Sequence, residues 1–250
     1  NVTSLSGSTF AGSGIETITL PRVQTMREGE FEGCTKLKEV NLPNLTDVLG
    51  RTFYGCTSLE TLSLPKVTKL SKQSLGESNI KNINLPAMTS IEDENFSDCS
   101  ELESINLPEA INIGESAFSG LSKLKNVQIP KAENIEDYAF YQCTGLHEIK
   151  LSKVTTIGKS AFFGCTELTN INLPVAKTIN SSAFHNCTNL VNAFLPMVET
   201  VKSRAFFNCN SLIKATIPST TSIKDTAFDG CDQIHFEYTT TKISQSASTA

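Results

Sequence analysis

Eight cysteines are the residues of this 250-residue chain with the most chemistry open to them, and their spacing narrows which chemistry that is. Cys34, Cys56, Cys99, Cys143, Cys165, Cys187, Cys209 and Cys231 all fall at the same point of a recurring pattern, the last five at intervals of 22 residues. An even count in an exported chain suggests disulfides. Ser13, Ser78 and Leu121 take the same position in other copies, however, so Cys99 has no cysteine in the copy on either side and pairing cannot be general. Zinc sites use closely spaced C-x-x-C pairs or histidines, and this pattern contains neither. The expected state is therefore a ladder of buried, reduced thiols that pack as small hydrophobes.

The other reactive groups are sparse. His147, His185 and His235 sit at different points of the pattern, and no G-x-S-x-G, phosphate-cradling glycine loop or H-E-x-x-H is present. Without a base beside a nucleophile or a ligand set, no catalytic residue, no cofactor site and no metal site is expected. The run Glu92, Asp93, Glu94 reads as a solvated loop rather than a calcium site. Five N-x-S/T sequons begin at Asn1, Asn44, Asn95, Asn180 and Asn186, and they carry weight only in a eukaryotic secretory pathway. A net charge of −5 supplies no basic stripe for a phosphate backbone, which argues against nucleic acid as a partner. No apolar run approaches the roughly 18 residues of a bilayer span. The chain opens with Asn1 rather than Met, so the absence of a leader is uninformative.

These residues are positioned by a repeat. Phe162 to Asn180 gives the clearest copy, and written as a template it reads F-x-x-C-x-x-L-x-x-I-x-L-P-x-(V/A)-x-x-I. Anchors recur at Phe10, Phe31, Phe53, Leu75, Phe96, Phe118, Phe140, Phe162, Phe184 and Phe206, and Phe228 opens an unfinished copy. Eight intervals are 22 residues; the two that start at Phe10 and Leu75 are 21, each having lost one turn residue. The alternation Ile171, Leu173 ended by Pro174 predicts a short strand with both residues inward. Ala176 and Ile179 predict a second extended piece. Ser182, Ala183, Phe184 and Cys187, apolar every third residue after a serine, predict a helical or 3-10 turn. Such a unit cannot bury its own apolar face, so the copies must stack, about ten coils making a slab roughly 50 Å long.

The units SAFSGLSKLKNVQIP (Ser116 to Pro130), SAFFGCTELTNINLP (Ser160 to Pro174) and SAFHNCTNLVNAFLP (Ser182 to Pro196) resemble the leucine-rich repeats of the BspA-like type, also called the Treponema pallidum type. The resemblance implies a right-handed leucine-rich-repeat solenoid with a parallel sheet on its concave side. It also implies a cell-surface or secreted protein that binds host matrix proteins or other cells, with no catalytic motif to carry over. Residues 1–238 are expected to form one array, starting mid-repeat and closed by a strand near 234–238, and the Ser/Thr-rich 239–250 to form a tail or linker.

Stacking turns each template position into a column, and function is to be sought there. Between the inward strand residues runs an Asn-rich column of Thr19, Asn41, Ser63, Asn84, Asn106, Gln128, Lys150, Asn172, Phe194 and Thr216, expected to be a solvated face. The column Glu16, Lys38, Glu60, Lys81, Glu103, Lys125 alternates in charge, which suits cross-strand attraction, and then runs through His147 and Thr169 to become apolar at Val191 and Ile213. Tyr54, Tyr141, Phe163, His185 and Phe207 follow the anchors and are expected to stack along the turn edge. The candidate partner-binding set is Val175, Val191, Phe194, Met197 and Ile213, where the strand side turns apolar. The function expected is adhesion or binding to a protein or glycan on a host cell or in the extracellular matrix. The alternative is a structural spacer that presents another domain.

Overall fold

Each 22-residue unit closes one coil of a solenoid in a computed structural model that describes residues 2–239. The longer strands form one wall: β1 (Thr17–Thr19), β2 (Glu39–Asn41), β4 (Thr61–Ser63), β6 (Asn82–Asn84), β8 (Ser104–Asn106), β10 (Asn126–Gln128), β12 (Glu148–Ile149), β14 (Asn170–Asn172), β16 (Asn192–Phe194), β18 (Lys214–Pro218) and β20 (His235–Thr239). A second wall is made of two-residue strands: β3 (Asp47–Val48), β5 (Lys69–Leu70), β7 (Ser90–Ile91), β9 (Asn112–Ile113), β11 (Asn134–Ile135), β13 (Thr156–Ile157), β15 (Thr178–Ile179), β17 (Thr200–Val201) and β19 (Ser222–Ile223). All pairings are parallel and in register, for example Ile171 with Ala193 and Ile179 with Val201. The second wall is continuous from β7 to β19, whereas the first is interrupted between β2 and β4 and again between β12 and β14.

The core follows from the template. Ile171, Leu173, Ala176 and Ile179 are buried, as alternation within each strand requires, and so are the corresponding residues of most other coils. Eight anchor phenylalanines from Phe31 to Phe206 are fully buried. Successive rings stack with centroids 5.0 to 5.5 Å apart, save where Leu75 interrupts the row. Truncating one such ring costs about 3–5 kcal/mol because its neighbours cannot close the gap. The cysteines line the next column, all eight free and buried. They do more than pack: Cys165 Sγ donates to Phe140 O at 3.2 Å and Cys187 Sγ to Phe162 O at 3.1 Å, tying each coil to the one before. Burial pushes the thiols of Cys56, Cys99 and Cys143 up to about 12, so they stay protonated and able to donate.

The third side of the coil departs from expectation, because the segment around the anchor is a chain of tight turns and not a helical or 3-10 turn. Alternate amides divide the work. Ala161, Phe163 and Cys165 donate three residues back, to Gly158, Ser160 and Phe162, while Ser160, Phe162 and Gly164 donate to Ser181, Ala183 and His185 of the next coil. A helix would need every amide for itself. The geometry requires a left-handed residue two positions before and two after the phenylalanine, Ser160 (φ 52°) and Gly164 (φ 71°) in this coil. For a residue with a side chain that conformation costs about 1–2 kcal/mol, and the inter-coil hydrogen bonds hold it in place. Beyond the last complete coil, β20 pairs with β18 over five residues. Of the expected tail, residues 240–250 lie outside the described residues.

Candidate functional site

The strand wall changes character along its length. In the first coils the charged column pairs as its alternation implies, with Lys38 Nζ 2.8 Å from Glu16, Lys81 Nζ 2.9 Å from Glu60 and Lys125 Nζ 3.9 Å from Glu103. The hydrogen bond from Lys38, and then its charge, hold the Glu16 carboxyl below its ordinary range. These side chains are exposed, so the pairs guide register and contribute little stability. The Asn-rich column forms an amide ladder in which Asn106 donates to Asn84 Oδ1 at 2.8 Å and Asn84 to Ser63 at 3.2 Å. In the neighbouring outward column Asn192 donates to Asn170 Oδ1 at 2.8 Å. These ladders tie polar side chains of successive coils to one another.

The last coils are different. Phe194 is 43% exposed, Met197 46% and Ile213 44%, unusual values for large apolar side chains in this molecule. Val175 and Val191 are half-buried. Val191 and Ile213 stand on adjacent coils, the Ile213 amide donating to Val191 O at 3.1 Å, and Phe194 lies opposite Thr216 across the β16–β18 ladder. Asn192 and Lys214 share this face, so the apolar groups are set among polar ones.

On the turn edge, Tyr141, Phe163, His185 and Phe207 form an unbroken row with centroids 4.6 to 5.0 Å apart. Lys159 covers Tyr138, Arg204 covers Phe207, and in an earlier coil Arg51 lies over Tyr54 at 3.8 Å. Burial and the nearby Arg204 lower the His185 pKa, keeping the ring neutral and suited to stacking. The rings are half-buried and engage one another, the arrangement expected of an edge that shields the turns.

No group of three or more His, Cys, Asp or Glu able to hold a metal ion occurs among the described residues. Asp93 is committed to the Glu115 amide at 2.9 Å and Glu94 to Lys72 at 3.1 Å, which accounts for the acidic run. Of the sequons, Asn95 is buried with its amide donating to Leu70 O, Asn44 donates to Pro21 O and Asn180 to Ile157 O. Asn186 accepts from Asn208 in the turn, and Asn1 lies outside the described residues. These asparagines serve the ladder between coils.

The comparisons with known proteins agree with this geometry. A family profile described as "BspA type Leucine rich repeat region (6 copies)" matches residues 3–125 and 111–235. A leucine-rich repeat protein from Bacteroides ovatus is similar at 25% identity and a TM-score of 0.70, over 96% of this chain and 70% of that one. The T. pallidum leucine rich repeat protein aligns at 22% identity and a TM-score of 0.59, over 70% of this chain and 84% of that one. The pneumococcal vaccine antigen PcpA aligns at 19% identity and a TM-score of 0.52, over 95% and 72% of the two chains. No curated protein matches. The likeness thus reaches several bacterial repeat proteins and is not particular to the T. pallidum one. With nearly every described residue inside the matched region, the chain belongs to the BspA-type leucine-rich repeat family.

Proposed function

We propose that this chain is a non-enzymatic binding scaffold, located at a cell surface or outside the cell, that recognises a protein or glycan on a host cell or in the extracellular matrix. The observation that carries this reading is the exposure of Phe194, Met197 and Ile213 on the face where earlier coils present paired charges and amide ladders. The template has no structural use for them there. Large apolar side chains gathered on an otherwise polar face are what a partner surface requires, and a few such anchors supply most of the affinity at interfaces. The partner-binding set is Val175, Val191, Phe194, Met197 and Ile213, the two valines flanking the three exposed residues. The family, and a likeness to a pneumococcal vaccine antigen, fit an exposed location. Among the described residues no helix is long and apolar enough to cross a membrane.

Serine and threonine already occupy the Phe194 column at Ser63 and Thr216, so the double variant Phe194→Ser, Ile213→Ser is expected to fold normally. Wild type and variant are to be compared on a panel of purified matrix proteins, glycans and epithelial cells. At least a tenfold weaker interaction with an unchanged melting temperature is the expected result. Binding that survives the double substitution would sink this surface as the site.

A further inference from the structure

The strand wall loses hydrogen bonds on both sides of one coil, that of Phe140, and the sequence of that coil departs from the template. All nine prolines of the chain follow the second inward strand residue of a coil; of the complete coils only this one has serine there, Ser152, and its Asn-rich column holds Lys150. In most coils the residue before the proline donates its amide to the next coil, as Leu107 does to Gln128 O and Leu173 to Phe194 O, each at 2.9 Å. The amides of Ile129 and Leu151, on either side of the Phe140 coil's junctions, find no backbone acceptor. β12 holds to β10 through Glu148 and Ile149 only, and no ladder joins β12 to β14. Val127 and Ile149 are 7% and 4% exposed, the highest values among the strand centres from Leu62 to Ala215, as expected where the wall is parted. The β2–β4 interruption is simpler: one such amide, that of Leu42, is unbonded there, and the coils on either side keep Pro43 and Pro65.

The other two sides of the same coil stay tied. On the second wall Ile157 pairs with Ile135 before it and Ile179 after it. On the turn edge the Phe118 amide donates to Ala139 O at 2.8 Å and the Phe140 amide to Ala161 O at 2.7 Å. On the strand wall, what crosses to the Phe162 coil lies at or before the strand's entry: Glu167 N donates to Thr144 O and Thr169 N to His147 O, each at 3.3 Å, and the His147 ring Nδ1 lies 3.1 Å from Glu167 O. The gap therefore widens toward the strand's exit, at Leu151. Local stability falls where a hydrogen-bonded row is missing, and a buried amide without a partner penalises the parted arrangement as it stands. We propose that the Phe140 coil is a hinge. The strand wall opens and closes there, with the second wall and turn edge as its pivot, while the ladders from β4 to β10 and from β14 to β20 move as two blocks. Opening flattens the strand wall and closing curves it, so the angle between the polar coils and those that carry Phe194 and Ile213 is adjustable. The hinge rests on backbone hydrogen bonding and does not depend on what the apolar set binds.

Two measurements on the whole chain test this. Hydrogen exchange followed by NMR should show the Ile129 and Leu151 amides exchanging roughly a hundredfold faster than those of Leu107 and Leu173. Distances between paired spin labels give the motion itself. Labels at Asn82→Cys and Asn192→Cys span the Phe140 coil on the strand wall, and labels at Ser90→Cys and Thr200→Cys span the same coils on the unbroken second wall, both pairs about 24 Å apart by strand spacing. The native thiols are buried, and the unsubstituted protein serves as the labelling blank. The strand-wall pair should give a distance distribution about twice as broad as the second-wall pair. The variant Lys150→Asn, Ser152→Pro restores the template, and since the Ser152 amide donates to no backbone acceptor the proline removes no such bond. In that variant the strand-wall distribution should narrow and exchange at Leu151 should slow. Equal protection of the four amides, or equally narrow distributions for the two label pairs, would overturn the hinge, and neither readout needs the template variant to fold.

Discussion

The two halves of this array run the same backbone on opposite side-chain chemistry. The residue before each anchor is buried throughout the array's interior. In the early coils it is polar, as Glu30, Thr52, Ser74 and Asn95, and from the Phe118 coil onward it is alanine, from Ala117 to Ala227. Outside, the early coils carry ion pairs, and the last coils set Phe194, Met197 and Ile213 among theirs, Lys177 with Glu199 and Lys214 with Glu237. Beside its anchors the first half thus buries polar groups; the second buries methyl groups there and exposes large apolar side chains on the strand wall. A buried polar group is tolerated where the backbone offers it partners. The Glu30 carboxylate accepts the Gly7 and Thr9 amides, Thr52 donates to Leu49 O, and Asn95 both donates to Leu70 O and accepts from Glu92 N. Both 21-residue coils lie in this half, where the turns are less regular. Side-chain hydrogen bonds there take over part of the registration that the alanine, cysteine and phenylalanine columns supply later.

The largest test of this contrast is alkaline. Buried thiols with raised pKa values contribute stability that is fully present below the ordinary thiol value of 9.0 and is lost as pH climbs toward about 12, because the unfolded chain gives up those protons first. The slope is roughly 1.4 kcal/mol per thiol per pH unit in that window. The second half holds an uninterrupted run of cysteines, with Cys165 and Cys187 also pushed well up by burial. Melting temperatures between pH 8 and pH 11 should fall steeply in wild type. The fall should be flattened in proportion to the thiols removed, in a ratio of about three to two for Cys143→Ser, Cys165→Ser, Cys187→Ser against Cys56→Ser, Cys99→Ser. Equal slopes for the two variants would mean that the thiols of the two halves do not contribute alike.

A change of one to three kcal/mol is expected from Asn95→Ala, which copies the second half's residue into the first. It leaves Leu70 O and the Glu92 amide without their side-chain partner inside the array. Chemical denaturation should show the loss, and hydrogen exchange at Glu92 should quicken. If Asn95→Ala is neutral, the polar column is not what registers the early coils.

The repeat could be read from residues alone because a spacing of 22 with phenylalanine, cysteine and proline at fixed offsets leaves one way to bury them. The turn side could not be read so directly. Apolar residues three apart after a serine, as at Ser182, Ala183 and Phe184, look like a helical start; what wins is capture of alternate amides by the next coil. The clue was the recurrence of glycine two residues before or after the anchor, as at Gly29, Gly33 and Gly164, masked where Ser160 or Asn186 adopts the same left-handed backbone. The exposure of Phe194 followed from the column alignment, since an outward strand position stays outward in every coil, and Met197 and Ile213 flank the strands in columns that are largely polar in earlier coils. The break at the Phe140 coil was written as Ser152 in place of proline and Lys150 in place of asparagine. Its extent, the length of strand ladder missing between β12 and β14, is declared by no residue type.

The smallest expected effect isolates the one polar residue of the early column that breaks the rule. Ser74 is fully buried and its hydroxyl has no hydrogen-bond partner, in the coil whose anchor is Leu75 instead of phenylalanine. An unpaired buried hydroxyl is a net cost, unlike the satisfied groups of Glu30 and Asn95, so Ser74→Ala should stabilise the array by about 1 kcal/mol. Opposite signs for Ser74→Ala and Asn95→Ala, read in the same denaturation experiment, would show that satisfaction and not polarity decides what this column accepts. Destabilisation by Ser74→Ala would mean that the hydroxyl is bonded in solution, and the contrast between the halves would then be complete at every buried polar position.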